Sequence, residues 1–209
     1  MRLVGTLEEN SGGAASCLEA SAAPSEQSFD RHVLGRIFLH SAAEAARLGD
    51  TIADRLGVDP DEFAALARYL CVDSFVESAG KRELAPEDEE LMVRTLLMQN
   101  RSADGSVGQW LASIVARRAL ESNHLWEDLG LATRGDLSKL LLRHFPGLAE
   151  KNTRNMRWKK FLYRALCEAE GFSMCPSPTC DSCAEFHICF GDESGPSALA
   201  RTARNGGAC

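Results

Sequence analysis

The sequence has no apolar run approaching the roughly 20 residues that a bilayer-spanning helix needs. Its first ten residues hold no extended apolar stretch of the kind found in a secretory signal, so the chain is expected in the cytoplasm, off the membrane. Strand signals are missing as well: β-branched residues are scattered and never alternate over several positions. No internal repeat is visible. Positive charge is outnumbered: a formal net charge of −7 argues against general nucleic-acid binding, which draws on a basic surface. What is present is the composition of a globular protein, 44% hydrophobic and 25% charged over 209 residues, enough for one domain of ordinary size with tails.

Helical periodicity fills most of the chain. Phe29, Val33, Ile37 and Phe38 fall on one face, as do Ala42, Ala45, Ala46 and Leu48. Asp59 followed by Pro60 predicts a helix start, with Phe63, Leu66, Ala67 and Leu70 as its buried face. Pro86 and the carboxylates from Glu87 to Glu90 predict another, ending near Asn100, because negative side chains favour the positive N-terminal end. Ser106 is a candidate cap for a helix through Trp110, Leu111, Ile114 and Val115, and Thr133 or Asp136 for one through Leu137 and Leu141. The last helix is expected from about Asn155 to Ala169, stopped at Gly171.

The fold class expected is therefore all-α. A helical domain of about six helices occupies residues 28–171, and a cysteine-rich loop follows over 172–195. Residues 1–27, rich in Gly, Ala, Ser and Glu, read as a disordered arm, and 196–209 as a flexible tail.

Five of the eight cysteines fall between positions 167 and 189. Disulfides usually staple a small domain throughout, and the cytosol keeps thiols reduced, so this crowding favours metal. Cys175, Cys180, Cys183 and Cys189 have the spacing C-x4-C-x2-C-x5-C. Thiolates are soft anionic ligands suited to zinc, copper(I) and iron–sulfur clusters. Structural zinc sites usually use two short knuckles, and here only Cys180 and Cys183 form one. The first three cysteines share the C-x4-C-x2-C spacing of plant-type ferredoxin loops, which favours iron–sulfur and leaves zinc possible. An electron carrier, however, has no need of such a long helical segment ahead of its ligands. His187 lies inside the loop as either a ligand or a neighbour of the ligands. Cys167 reads as a half-buried thiol or a fifth sulfur near the centre, while Cys17, Cys71 and Cys209 are isolated.

Just ahead of the loop the sign of the charge reverses. Lys151, Arg154, Arg157, Lys159, Lys160 and Arg164 occur in a stretch with no acidic residue through Cys167. One reading is a solvated helix face opposite Trp158, Phe161 and Leu162. The other is a cationic face that draws in an anion or balances an anionic cluster, which makes Arg157, Lys159, Lys160 and Arg164 candidate cofactor-binding residues. No catalytic constellation is read.

The cysteine spacing, Arg157-Trp158-Lys159-Lys160-Phe161-Leu162-Tyr163 and His124-Leu125-Trp126-Glu127-Asp128-Leu129-Gly130-Leu131 together resemble the NifQ family of nitrogen-fixation proteins, over roughly residues 30 to 200. The resemblance implies a non-enzymatic carrier with an iron–sulfur cluster, containing molybdenum, on Cys175, Cys180, Cys183 and Cys189. It implies donation of molybdenum, ultimately from molybdate, for the nitrogenase iron–molybdenum cofactor. The recipients it implies are the nitrogenase iron protein NifH and the assembly scaffold NifE/NifN. The alternatives are a zinc-stabilised interaction module and an iron–sulfur electron carrier. Trp126, Leu129 and Leu131 read as core residues, with His124, Glu127 and Asp128 as either a solvated turn or ligands for incoming metal.

Overall fold

The computed structural model describes residues 26–75, 85–102, 105–169 and 171. Among them every regular element is helical: α1 (Glu26–Leu48), α2 (Ile52–Leu56), α3 (Pro60–Leu70), a 3-10 turn (Asp73–Phe75), α4 (Asp88–Gln99), α5 (Ser106–Ala119), α6 (Leu125–Asp128), α7 (Arg134–His144), α8 (Pro146–Ala149) and α9 (Trp158–Ala169). The all-α expectation holds for these residues, but the expected six helices become nine. The extra ones are α2, α6 and α8, of five, four and four residues. A pattern with 3.6 residues per turn cannot declare itself over a single turn.

Local chemistry sets most helix ends. Asp59 Oδ1 accepts from the Glu62 backbone N–H at 2.8 Å while Glu62 Oε2 accepts from the Asp59 N–H at 3.3 Å, a reciprocal cap that starts α3. Thr133 and Asp136 form the same device at α7. At α5 the position before the helix is Gly105, not Ser106, and no side chain caps it. The last helix begins at Trp158 instead of near Asn155. Asn155 lies in the left-handed region, with φ of 56°, and Arg134 of α7 grips this loop. Its Nη1 donates to Asn155 Oδ1 at 2.7 Å, and its Nη2 to the carbonyls of Asn155 and Met156 at 3.1 and 2.9 Å.

The core is built around α5, which packs against α2, α4, α6 and α7. Trp110, Leu111, Ile114 and Val115 are buried on it, facing Leu34, Ile37 and Phe38 of α1, Leu97 of α4 and Leu137 and Leu140 of α7 in one apolar cluster. Two glycines permit the close approaches this requires. Gly57, with φ of 68°, sits where a Cβ would lie 2.5 Å from Arg117 Cβ. Gly130, with φ of 67°, leaves no room for a Cβ against His40.

Charged groups are also enclosed. Arg118 is fully buried, donating to Glu44 Oε2 at 2.5 Å and to Ser41 Oγ at 2.8 Å. Arg55 adds contacts to Glu44 at 3.2 Å and Glu121 at 3.0 Å, tying α1, α2 and α5 through one ion-pair network.

Candidate metal centre

Cys175, Cys180, Cys183, Cys189 and His187 lie outside the described residues. The structure describes the element that precedes them, α9, and Gly171 in the left-handed region with φ of 77°, whose N–H donates to the Glu168 carbonyl at 3.2 Å. Cys167 is half-buried on α9, as expected, and Cys71 is exposed at the end of α3. Among the described residues no group of three or more His, Cys, Asp or Glu side chains is placed to hold a metal ion. Nor is any helix among them long and apolar enough to cross a membrane.

α9 is an amphipathic helix. Trp158, Phe161, Leu162 and Leu166 are buried, with the Trp158 and Phe161 rings edge to face at 5.7 Å. Trp158 Nε1 donates to Ser138 Oγ of α7 at 3.0 Å. Tyr163 faces α4, where burial first, and then the hydrogen-bonded Glu89 carboxylate, push its hydroxyl pKa up to about 12.

The basic residues of this helix do not form one face. Lys159 turns inward: its Nζ donates to Asp128 Oδ2 and to the Glu121 carbonyl, both at 2.5 Å, with the Lys159 and Asp128 side chains 17% and 6% exposed. Asn123 Nδ2 donates to the other Asp128 oxygen at 3.1 Å. Burial holds the Lys159 ammonium below its ordinary pKa, against the opposing pull of Asp128, and holds the Asp128 carboxyl above the usual range, against Lys159. This geometry turns the Lys159 ammonium inward, away from the anion-facing role read for it, and encloses Asp128, which the sequence leaves open as either a solvated turn or a ligand. Each is committed to the other, because a charge enclosed here needs a partner within the protein. Lys160 is exposed and Arg157 half-buried. Arg164 Nε donates to Glu168 Oε1 at 2.6 Å, one turn along the same helix.

The pair, 31 residues apart in the chain, joins two of the stretches that carry the family resemblance. Leu125, Leu129 and Leu131 are buried and Trp126 packs half-buried against the core, so that stretch is structural, as the simpler reading had it. Glu127 Oε2 accepts from the His124 N–H at 3.0 Å, which caps α6.

A cavity of about 170 Å³ lies between α9 and the loop before it, with Lys151, Thr153 and Arg154 on the loop side and Phe161, Arg164 and Glu168 on the helix side. In the sequence Lys151 and Arg154 stand out only as part of the basic run. Their convergence with Arg164 depends on the loop reversing direction, which the sequence signals only through Asn152 and Asn155.

The NifQ family model matches residues 33–191, a span that includes all four motif cysteines. A NifQ homolog of Sinorhizobium fredii is 51% identical over 117 residues, 56% of this chain and 51% of that relative, so the chain spans about half of the relative's length. NifQ of Azotobacter vinelandii is 42% identical over 156 residues, covering 66% of this chain and 78% of the relative. NifQ of Rhodobacter capsulatus is 42% identical over 159 residues, covering 75% and 87%. No solved structure gives a significant match. The chain belongs to the NifQ family, whose members are implicated in nitrogen fixation.

Proposed function

We propose that this protein is a cytoplasmic, non-enzymatic metal carrier that holds an iron–sulfur cluster on Cys175, Cys180, Cys183 and Cys189. Its cargo is molybdenum, taken up as molybdate and donated for assembly of the nitrogenase iron–molybdenum cofactor. The recipients are NifH and the NifE/NifN scaffold. The observation that carries this reading is the C-x4-C-x2-C-x5-C motif inside the span matched by the NifQ family model. Four thiolates are a donor set that fits iron and sulfide, and a thiolate-bound cluster supplies soft coordination for molybdenum.

The described residues support the reading through their charge. The chain carries a net −7, yet the segment leading to the cysteines is basic, which favours an anionic cluster or an incoming oxyanion over a bare cation. Arg157, Lys160 and Arg164 are the cofactor-side residues in this proposal. Lys159 is reassigned to pinning α9 against Asp128.

Anaerobic purification followed by iron, sulfide, molybdenum and zinc analysis tests it. The expected result is iron with sulfide, molybdenum uptake on incubation with molybdate, and transfer of that molybdenum to NifH or NifE/NifN. Serine at any one of the four cysteines is expected to lower cluster occupancy sharply. Stoichiometric zinc without iron or sulfide would replace the proposal with a zinc-stabilised module. Reversible one-electron chemistry with molybdenum never transferred would replace it with an electron carrier.

A further inference from the structure

The outward face of α1 combines an apolar centre with charge of one sign. Leu39 is 65% exposed, the most open of the large apolar side chains among the described residues, and the exposed Ala43 and Ala46 continue its surface. At about 100° per residue, Arg31, His32, Arg36 and Arg47 all lie within about 80° of Leu39 around the helix, and all four are exposed. From Arg31 to Arg47 the face runs about 24 Å along the axis, at 1.5 Å per residue.

The single sign arises because the fold draws the acids of this helix inward. Beyond Glu26 those acids are Asp30 and Glu44. Asp30 is buried, accepting from Arg143 Nε at 2.9 Å with His144 Nε2 also at 2.9 Å. Glu44 receives Arg118 and Arg55. The outward cations have partners that leave their charge standing. Arg36 Nε and Nη2 donate to the Gly130 carbonyl at 3.4 and 3.3 Å, and the Arg31 guanidinium lies 5.2 Å from the centre of the Tyr69 ring. Neither a carbonyl nor a ring cancels a positive charge, and among the described residues no carboxylate pairs with Arg31, Arg36 or Arg47.

We propose that this face of α1 docks a partner protein through an acidic, amphipathic helix, with Leu39 at the apolar centre of the contact and Arg36 and Arg47 against the partner's carboxylates. Complementarity sets that chemistry: the apolar centre takes apolar area, while the cationic rim steers an acidic surface in and turns a basic one away. Two copies of this chain, each at net −7 and each bringing the same cationic face, repel one another across it, which favours a different protein. The inference deepens the molybdenum-donor reading and rests on it for one point, that the partner is a recipient of the cargo. Arg36 holds Gly130, and the α6 turn that ends there carries Asp128, the anchor of Lys159 on α9. A partner on α1 therefore rests beside the turn that pins the helix preceding the cysteine motif in the chain.

Biolayer interferometry of the anaerobically purified full-length protein against NifH and against NifE/NifN tests it. The wild-type chain is expected to bind at least one of them, with affinity falling as salt rises. L39E is expected to weaken that binding at least tenfold, about 1.4 kcal/mol, with helical circular dichroism unchanged. R47Q should slow association and flatten the salt dependence, as loss of a rim charge does. Leu142 of α7 is also exposed, at 51%, and L142E should bind as the wild type does. Wild-type affinity in L39E, an equal loss in L142E, or no binding to either recipient would each overturn the docking face. Self-association in sedimentation velocity that L39E abolishes would overturn it as well, by giving the face to a second copy. The donor reading fails separately: a protein that docks through Leu39 yet carries no iron, sulfide or molybdenum keeps this face and loses that function.

Discussion

Lys159 shows how a single side chain can be misplaced by its neighbours in sequence. Standing between Arg157 and Lys160 in a run without acids, it reads as one more surface cation, yet it is enclosed with Asp128. Burial outweighs the mutual hydrogen bond in both groups, raising the carboxyl pKa and lowering the ammonium pKa. The raised Asp128 makes the folded state the tighter proton binder just above the usual carboxylate range, so this group's contribution to stability falls as pH rises there. The lowered Lys159 sheds its proton first in the folded state, so its contribution grows as pH rises toward the ordinary lysine value. Near neutrality the charged pair is thus held at a cost, as is usual for buried ion pairs that an apolar pair could replace. Asp128→Ala, which leaves the ammonium buried alone, is expected to destabilise by about 3–5 kcal/mol. Asp128→Leu with Lys159→Met is expected to be near neutral. Urea unfolding of Asp128→Leu, Lys159→Met and the double variant, read as a double-mutant cycle, decides it. A single variant within about 1 kcal/mol of wild type would show that water reaches the pair.

At the scale of elements, α1, α2 and α5 are fastened by Glu44, which receives Arg118 and Arg55. Burial pushes the Glu44 carboxyl up, but the Arg118 hydrogen bond and the two guanidinium charges outweigh it and hold the pKa below the ordinary value. A depressed carboxyl adds stability above its unfolded pKa, near 4.5, and that stability is lost as pH falls through the folded value. Glu44→Gln is expected to cost about 3 kcal/mol at pH 7, since Arg118 stays fully buried without an anion. Its unfolding free energy should also lose less than the wild type's as the buffer is taken below pH 4.5. An equally steep acid loss in both proteins would place the acid sensitivity elsewhere. Such cross-chain ties mark the limit of what sequence alone conveys. Asp59 with Pro60, and Thr133 with Asp136, announce α3 and α7 because a cap is a contact between residues three apart. The loop before α9 is held at Asn155 by Arg134, 21 residues earlier in the chain, and the Lys159 partner lies 31 residues back, distances no local pattern spans. The candidate centre divides the same way: the cysteine spacing is explicit in the sequence, while the cavity of Lys151, Arg154 and Arg164 exists only once α9 and its loop have folded.

For the molecule as a whole, the question is whether a metal on the proposed cysteine site would build the fold or be carried by it. Among the described residues the apolar cluster runs from Val33 to Leu166 and draws on every α-helix. Burial of that surface is the dominant favourable contribution to folding and is complete among the described residues. Small metal-dependent domains differ: their ligands replace a core too small to suffice, and they unfold when the metal is removed. Here the helical body has its own core, its own caps and its own ion-pair network. Removing iron with a chelator under anaerobic conditions is therefore expected to leave the far-ultraviolet helical signal and a cooperative thermal transition in place. The visible absorption of the cluster should disappear. Such separation suits a donor, because cargo can leave without unfolding its carrier. Joint loss of helical signal and metal on chelation would mean that the cluster is a structural staple, and the carrier reading would fall with it.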